Sequence, residues 1–450
     1  MKKYIIEGEH KLSGETTIPS AKNAILPIIS ACLLADGLST IHSCPKYIDV
    51  LSAIDIVNSL GCNAAVDDEE NLHIETASLE SSYITKEKSK LMRASFTFLG
   101  SLLGRLGHAR ISEPGGCSIG KRGIDLHIDA FKQMGVSIKE ENGDLECYVK
   151  KINDSKIRLA SPSVGATENI MLLASSSPVT TVIENPAREP EIVDLGNALI
   201  SMGAEIHGLG SPRIEIHGTK NLKPLDYTPI PDRIVAITLL SAAAITGSTV
   251  KINNVIANDI KEVIGIFRQM GCKIKIENNS ITLTAPEKLG KVDYIRTRPH
   301  PGFPTDAQSL IMAVLSTVEG VNLITEDIFE NRFSHVKELN KMGANIQTVG
   351  NIAIIKGVPK LKGKKVQGTD LRATAALLIA ALSSKGKTEL TGINHLERGY
   401  INLQETLNKL GAHIEVSTKA AEINIPTLSR YILPNRSIGN GFSPSPHSIV

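Results

Sequence analysis

Ile124-Asp125-Leu126-His127-Ile128-Asp129-Ala130-Phe131-Lys132-Gln133-Met134-Gly135-Val136 is the stretch from which the architecture can be read. Ile124, Ile128 and Phe131 fall at i, i+4 and i+7, the spacing of one helix face. Gly135 follows the last periodic residue, where a left-handed backbone stops a helix at little cost. The same ending recurs at Leu60-Gly61-Cys62, Met202-Gly203-Ala204, Met270-Gly271-Cys272, Met342-Gly343-Ala344 and Leu410-Gly411-Ala412. The six glycines are 74, 68, 68, 72 and 68 residues apart, and each is followed by a short strand pattern such as Asn345-Ile346-Gln347-Thr348.

A second feature keeps the same period. Asn23–Ala35, Arg93–Arg105, Gly165–Ser176, Arg233–Thr246, Asp306–Val318 and Leu371–Ser384 are apolar nearly all round. A helix apolar on every side is a buried helix. Each unit therefore reads as a buried helix, a strand, a covering helix ending in Gly, and further strands. Tyr4-Ile5-Ile6-Glu7-Gly8 before Leu12-Ser13-Gly14 also repeats as Ala353-Ile354-Ile355-Lys356-Gly357 before Leu361-Lys362-Gly363. Six units of this length fit two α/β lobes of three units better than a solenoid of shorter repeats. The boundary falls near Pro229-Ile230-Pro231, and a cleft between lobes is a common ligand site.

Composition narrows the function. The chain has 450 residues, 42% hydrophobic, which is enough for two or three cores. Net charge is +2, aromatics are 4% and Trp is absent, so neither a basic field nor a stacking platform points to nucleic acid. Six cysteines are scattered singly without a CxxC pair, which indicates neither a zinc site nor a disulfide framework. No run approaches the length of a membrane span, and the expected location is the cytoplasm. Beyond about Pro426 the chain is rich in Ser, Pro, Asn and Gly, so 426–450 reads as a tail.

Chemistry concentrates at the starts of the buried helices. Lys22, Arg93, Arg233 and Arg372 recur there, although a helix N-terminus disfavours cations. The pattern implies a ligand with several anionic groups. Asp306 reads as a cap or a general base, and Glu189 with Glu191 as paired carboxylates or a solvated loop. His127 could face either way, and a plain packing role is favoured. Pro114-Gly115-Gly116-Cys117-Ser118-Ile119-Gly120-Lys121-Arg122 is a near match to a nucleotide phosphate loop. That motif needs Ser or Thr where Arg122 stands, and no apolar run ending in Asp supplies the second metal element. Cys117 alone reads as a small hydrophobe. Set between glycines and cations, it reads as a reactive thiol.

These motifs, with Ser20-Ala21-Lys22-Asn23-Ala24, Met92-Arg93-Ala94-Ser95, Ser163-Val164-Gly165-Ala166-Thr167, Phe303-Pro304-Thr305-Asp306, Phe329-Glu330-Asn331-Arg332-Phe333, Asp370-Leu371-Arg372-Ala373 and Arg398-Gly399-Tyr400, resemble the UDP-N-acetylglucosamine 1-carboxyvinyltransferase family of enolpyruvyl transferases. The resemblance runs from Met1 to about Ile425. It implies an inside-out α/β barrel fold, with 21–230 as the lobe carrying the Cys117 turn and 1–20 plus 231–425 as the second. It implies transfer of the enolpyruvyl group of phosphoenolpyruvate to the 3′-hydroxyl of UDP-N-acetylglucosamine, with phosphate released and no cofactor or metal. Cys117 matches the general acid, which is alkylated by fosfomycin, and Asp306 the base. Lys22, Asn23, Arg122, Arg332, Arg372 and Arg398 match the phosphoenolpyruvate site. Arg93, Arg122, Gly123, Ile124, Asp125, Leu126, Ser163, Val164, Gly165, Asp306 and Ile328 match the UDP-sugar site. Ser161 stands where many members have Lys, leaving one cationic diphosphate contact unsupplied there. The alternatives are the shikimate 3-phosphate enolpyruvyl transferase, which lacks the Pro-Gly-Gly-Cys turn, and a non-catalytic paralogue that binds the UDP-sugar.

Overall fold

The computed structural model describes residues 2–112, 120 and 123–418, so Cys117, Arg122 and the tail lie outside the described residues. All six apolar segments are helical. They form Lys22–Cys32, Phe98–Leu106 after a 3₁₀ turn at Arg93–Thr97, Val164–Ser175, Arg233–Ile245, Thr305–Leu315 and Leu371–Ser383. In Arg233–Ile245 every residue after the first is buried. The covering helices are Ile48–Ser59, Asp125–Met134, Pro190–Ser201, Lys261–Gln269, Val336–Lys341 and Leu403–Lys409. The glycines just beyond them, Gly61, Gly135, Gly203, Gly271, Gly343 and Gly411, all have φ between 87° and 113°. In three units an asparagine secures this turn from inside it. Asn58, Asn340 and Asn408 each donate through Nδ2 to a carbonyl six residues on, and accept the N–H of the same residue through Oδ1.

Among the described residues the strands form six four-stranded sheets with identical wiring. One edge strand runs parallel to its neighbour, and the other two pairings are antiparallel. Two sheets are completed from the N-terminus. Glu15–Thr17 pairs with Thr249–Asn253, and Lys2–Glu7 lies between Lys387–Thr391 and His413–Thr418. Strands such as Ile352–Lys356 alternate exposed and buried residues, so each such sheet shows one face to water and one to the helices. The helices sit inside and the sheets outside, in two lobes of three units. One apolar core runs from Ala21 to Leu225, and the other joins Tyr4–Ile18 to Ile234–Ile414. The chain passes between them twice, side by side: Ala21 N donates to Ile230 O and Asp232 N to Pro19 O, both at 2.8 Å. No described helix is long and apolar enough to cross a membrane.

Close packing of the central helices rests on missing side chains. Gly357 follows the strand Ile352–Lys356 and lies against the end of Thr305–Leu315, where an added Cβ would come 1.6 Å from Val318 O. Gly8 and Gly218 sit likewise, with a Cβ 2.0 Å from Ser384 O and from Ala174 O. Such overlap with backbone cannot be relieved by a rotamer change. Gly357→Ala is expected to destabilise the protein by about 3 kcal/mol, read as a lower denaturant midpoint at unchanged m-value. An unchanged midpoint would show that the strand can slide off the helix end.

Candidate active site

The first turns of all six central helices converge on one cleft of about 590 Å³. Lys22 and Asn23, Arg93, Ser163 to Gly165, Arg233, Pro304 to Asp306, and Asp370 to Arg372 all line it. Gly123, Leu126, Ile328, Arg332 and Arg398 line it too, as does Ser161. Ile124 instead packs on the first core, and exposed Asp125 opens its covering helix. The sequence-derived site residues on the described part of the chain are thus brought together, with these two at its margin.

The cations do not stand open. A carboxylate holds Lys22, Arg233, Arg332, Arg372 and Arg398, because positive charges converging in a partly dry cleft need counter-charge. Asp49 takes Lys22 Nζ at 3.0 Å and Arg398 Nε at 2.9 Å. Asp306 takes Arg372 Nη2 at 3.0 Å and also Arg332. Glu191 takes Arg233 through two bonds of 2.9 and 3.1 Å. Among the described residues Glu191 pairs with Arg233 only, whereas Asp49 and Asp306 each face two cations, so Arg233 adds no excess positive charge to the cleft. Glu191 is buried, whereas Glu189 accepts backbone N–H groups of Arg188 and His300.

These pairings set the charge states. Burial pushes the Asp306 carboxyl up, but Arg372 and Arg332 more than offset this and hold it far below the ordinary range. Burial acts likewise on Asp49 and is outweighed by Lys22 and Arg398, leaving it low. His127 is pushed down to about 3 by burial and by Arg93, so its ring is neutral, with Nδ1 accepting from Asn169 Nδ2 at 2.9 Å. Its role is packing, beside Phe96 and Gly165. Arg332 Nε is buried and has no partner among the described residues, so it is a donor still to be satisfied. The five described cysteines are buried, and burial pushes their thiols up to about 11 or 12, which makes none of them a nucleophile.

Residues 6–407 match the family described as EPSP synthase (3-phosphoshikimate 1-carboxyvinyltransferase). The chain belongs to the EPSP synthase family. Within reach of that family it is 44% identical, over 92% of its length and 99% of the relative's, to UDP-N-acetylglucosamine 1-carboxyvinyltransferase 1 of Clostridium acetobutylicum. It is 45% identical, over 92% and 99%, to UDP-N-acetylglucosamine 1-carboxyvinyltransferase of Halothermothrix orenii. Among solved structures it resembles the enolpyruvyl transferase NikO from Streptomyces tendae, with TM-score 0.84, 24% identity, and 93% and 99% of the two chains covered. EPSP synthase from Acinetobacter baumannii matches with TM-score 0.73 at 18% identity, over 93% and 100%. At those identities the two structures speak for the fold, which family members thus share.

Sequence reasoning missed Asp49, Glu168, Arg298 and His300, all of which line the cleft. Asp49 in a first helical turn looks like ordinary dipole compensation. The other three carry no periodic signal.

Proposed function

We propose that the protein transfers the enolpyruvyl group of phosphoenolpyruvate to the 3′-hydroxyl of UDP-N-acetylglucosamine and releases phosphate, the first committed step of peptidoglycan precursor synthesis. The observation that carries this reading is the pair of carboxylate-held cation clusters, Lys22 with Arg398 on Asp49 and Arg332 with Arg372 on Asp306, facing one cleft. A small molecule with a phosphate and a carboxylate needs such convergent charge. The names of relatives at 44 and 45% identity supply the acceptor. Lys22, Asn23, Arg398, Arg332 and Arg372, joined by Arg122, would hold phosphoenolpyruvate. Arg93, Arg122, the 123–126 turn, Ser163 to Gly165, Asp306 and Ile328 would hold the UDP-sugar. We assign 21–230 to the lobe bearing Cys117 and 1–20 with 231–425 to the other, with a cytoplasmic location.

In this mechanism Cys117 gives a proton to the methylene carbon, C2 becomes electrophilic, and the sugar oxygen bonds to it as Asp306 takes the hydroxyl proton. Loss of phosphate and of a proton from the new methyl group restores the double bond. Asp306 is a poor base while Arg372 and Arg332 hold it. Substrate anions that draw those guanidinium groups away would raise its basicity where it is needed.

Phosphate release from phosphoenolpyruvate should depend on UDP-N-acetylglucosamine and not on shikimate 3-phosphate. Release with shikimate 3-phosphate alone would overturn the reading, and release with neither acceptor would leave a paralogue that binds without turning over.

A further inference from the structure

Every other carboxylate named in the cleft has counter-charge or N–H donors. Asp49, Asp306 and Glu191 hold cations, Asp370 caps its helix, and Glu189 takes two backbone N–H groups. Glu168 has neither. It lies three residues beyond Gly165 on the helix Val164–Ser175, so it shares a face with that glycine, and both line the cleft. It is 6% exposed. Its bond among the described residues is the Thr97 hydroxyl donating to Oε2 at 3.3 Å, which leaves Oε1 without a partner among them.

The groups around it give no reason for it to ionise. Glu189 and Glu191 repel a negative charge there, and Arg233 is already bound by Glu191. Arg93, neutral His127, Arg298 and His300 line the same cleft. Burial raises its pKa most, Thr97 lowers it in part, and Glu191 and Glu189 raise it further, to about 8.

We propose that Glu168 meets the acceptor sugar as a neutral carboxylic acid, donating its Oε1 proton in a hydrogen bond to a sugar oxygen and so selecting acceptors that present one there. This rests on the nucleotide-sugar reading above. A carboxylate at the same place would offer the sugar oxygen lone pairs only. It would also add a third negative charge beside Glu189 and Glu191.

Calorimetric titration of the full chain with UDP-N-acetylglucosamine, in two buffers of different ionisation heat, tests it. At pH 8.5 the wild type should take up about 0.8 proton on binding, and its Kd should rise about tenfold from pH 7 to pH 9. Glu168→Gln, which keeps a donor without a titrating proton, should show no such uptake and no such rise. Any other group that titrates does so in both proteins, so the difference belongs to Glu168. Equal proton uptake by the wild type and Glu168→Gln overturns the proposal and leaves the function standing. No binding at all removes both. Should Glu168→Gln fail to fold, Glu168→Met, which also lacks a titrating proton, supplies the same comparison of proton uptake.

Discussion

Asp49→Asn is expected to lower kcat/KM for phosphoenolpyruvate about a hundredfold while the Kd for the UDP-sugar stays within about threefold. Asp49 reaches Lys22 Nζ at 3.0 Å and Arg398 at 2.9 Å through Nε and 3.5 Å through Nη2. Its side chain is 4% exposed, and the two cations come from different lobes. The carboxylate therefore fixes the distance between two cations that would otherwise repel and that are proposed to hold phosphoenolpyruvate, and a misplacement of about 1 Å costs that much in rate. A competing account has Asp49 merely occupying the cations until substrate arrives. In that case Asn would tighten phosphoenolpyruvate binding, so a lower KM at unchanged kcat would refute the positioning role.

The same variant carries a linkage signature. The Asp49 pKa is lower folded than unfolded, so its contribution to stability is present above the unfolded value and is lost as pH falls through the folded one. The denaturant midpoints of wild type and Asp49→Asn should differ at neutral pH and converge in acid.

The fold was legible because each unit repeats two independent signals, a helix without a polar face and a covering helix stopped by Gly. Neither depends on distant partners. The site was legible where a cation broke a local rule, as Lys22 and Arg372 do by standing at helix starts. It was not legible where meaning comes from a partner far along the chain. Asp49 and Arg398 are 349 positions apart. Arg233 broke the same local rule as Lys22, yet Glu191, 42 residues earlier, absorbs its charge. Glu168 looks like a stray polar residue in an apolar helix until it is seen in the cleft beside an Arg233 that Glu191 already holds. The turn carrying Cys117 and Arg122 falls outside the described residues, and its roles stay with the proposal.

Asp306→Asn is expected to lower kcat by about three orders of magnitude with UDP-sugar affinity kept within about fivefold. Asn preserves the shape and one acceptor for Arg372 and Arg332, so binding geometry survives while the proposed proton acceptor is gone. Arg332 and Arg372, 4% and 6% exposed, then lose their shared negative charge, at a cost of about 2 kcal/mol in stability. The decisive reading is the pH profile. In the free protein the two arginines keep Asp306 ionised far into acid, so kcat/KM should show no acid limb from this group. Once substrate anions engage those arginines, the carboxyl regains proton affinity, and kcat should fall on the acid side through its raised pKa. Asp306→Asn should abolish that limb in the residual rate. If the limb persists, or kcat falls less than about tenfold, Asp306 serves only to order its two arginines and the proton leaves by another group.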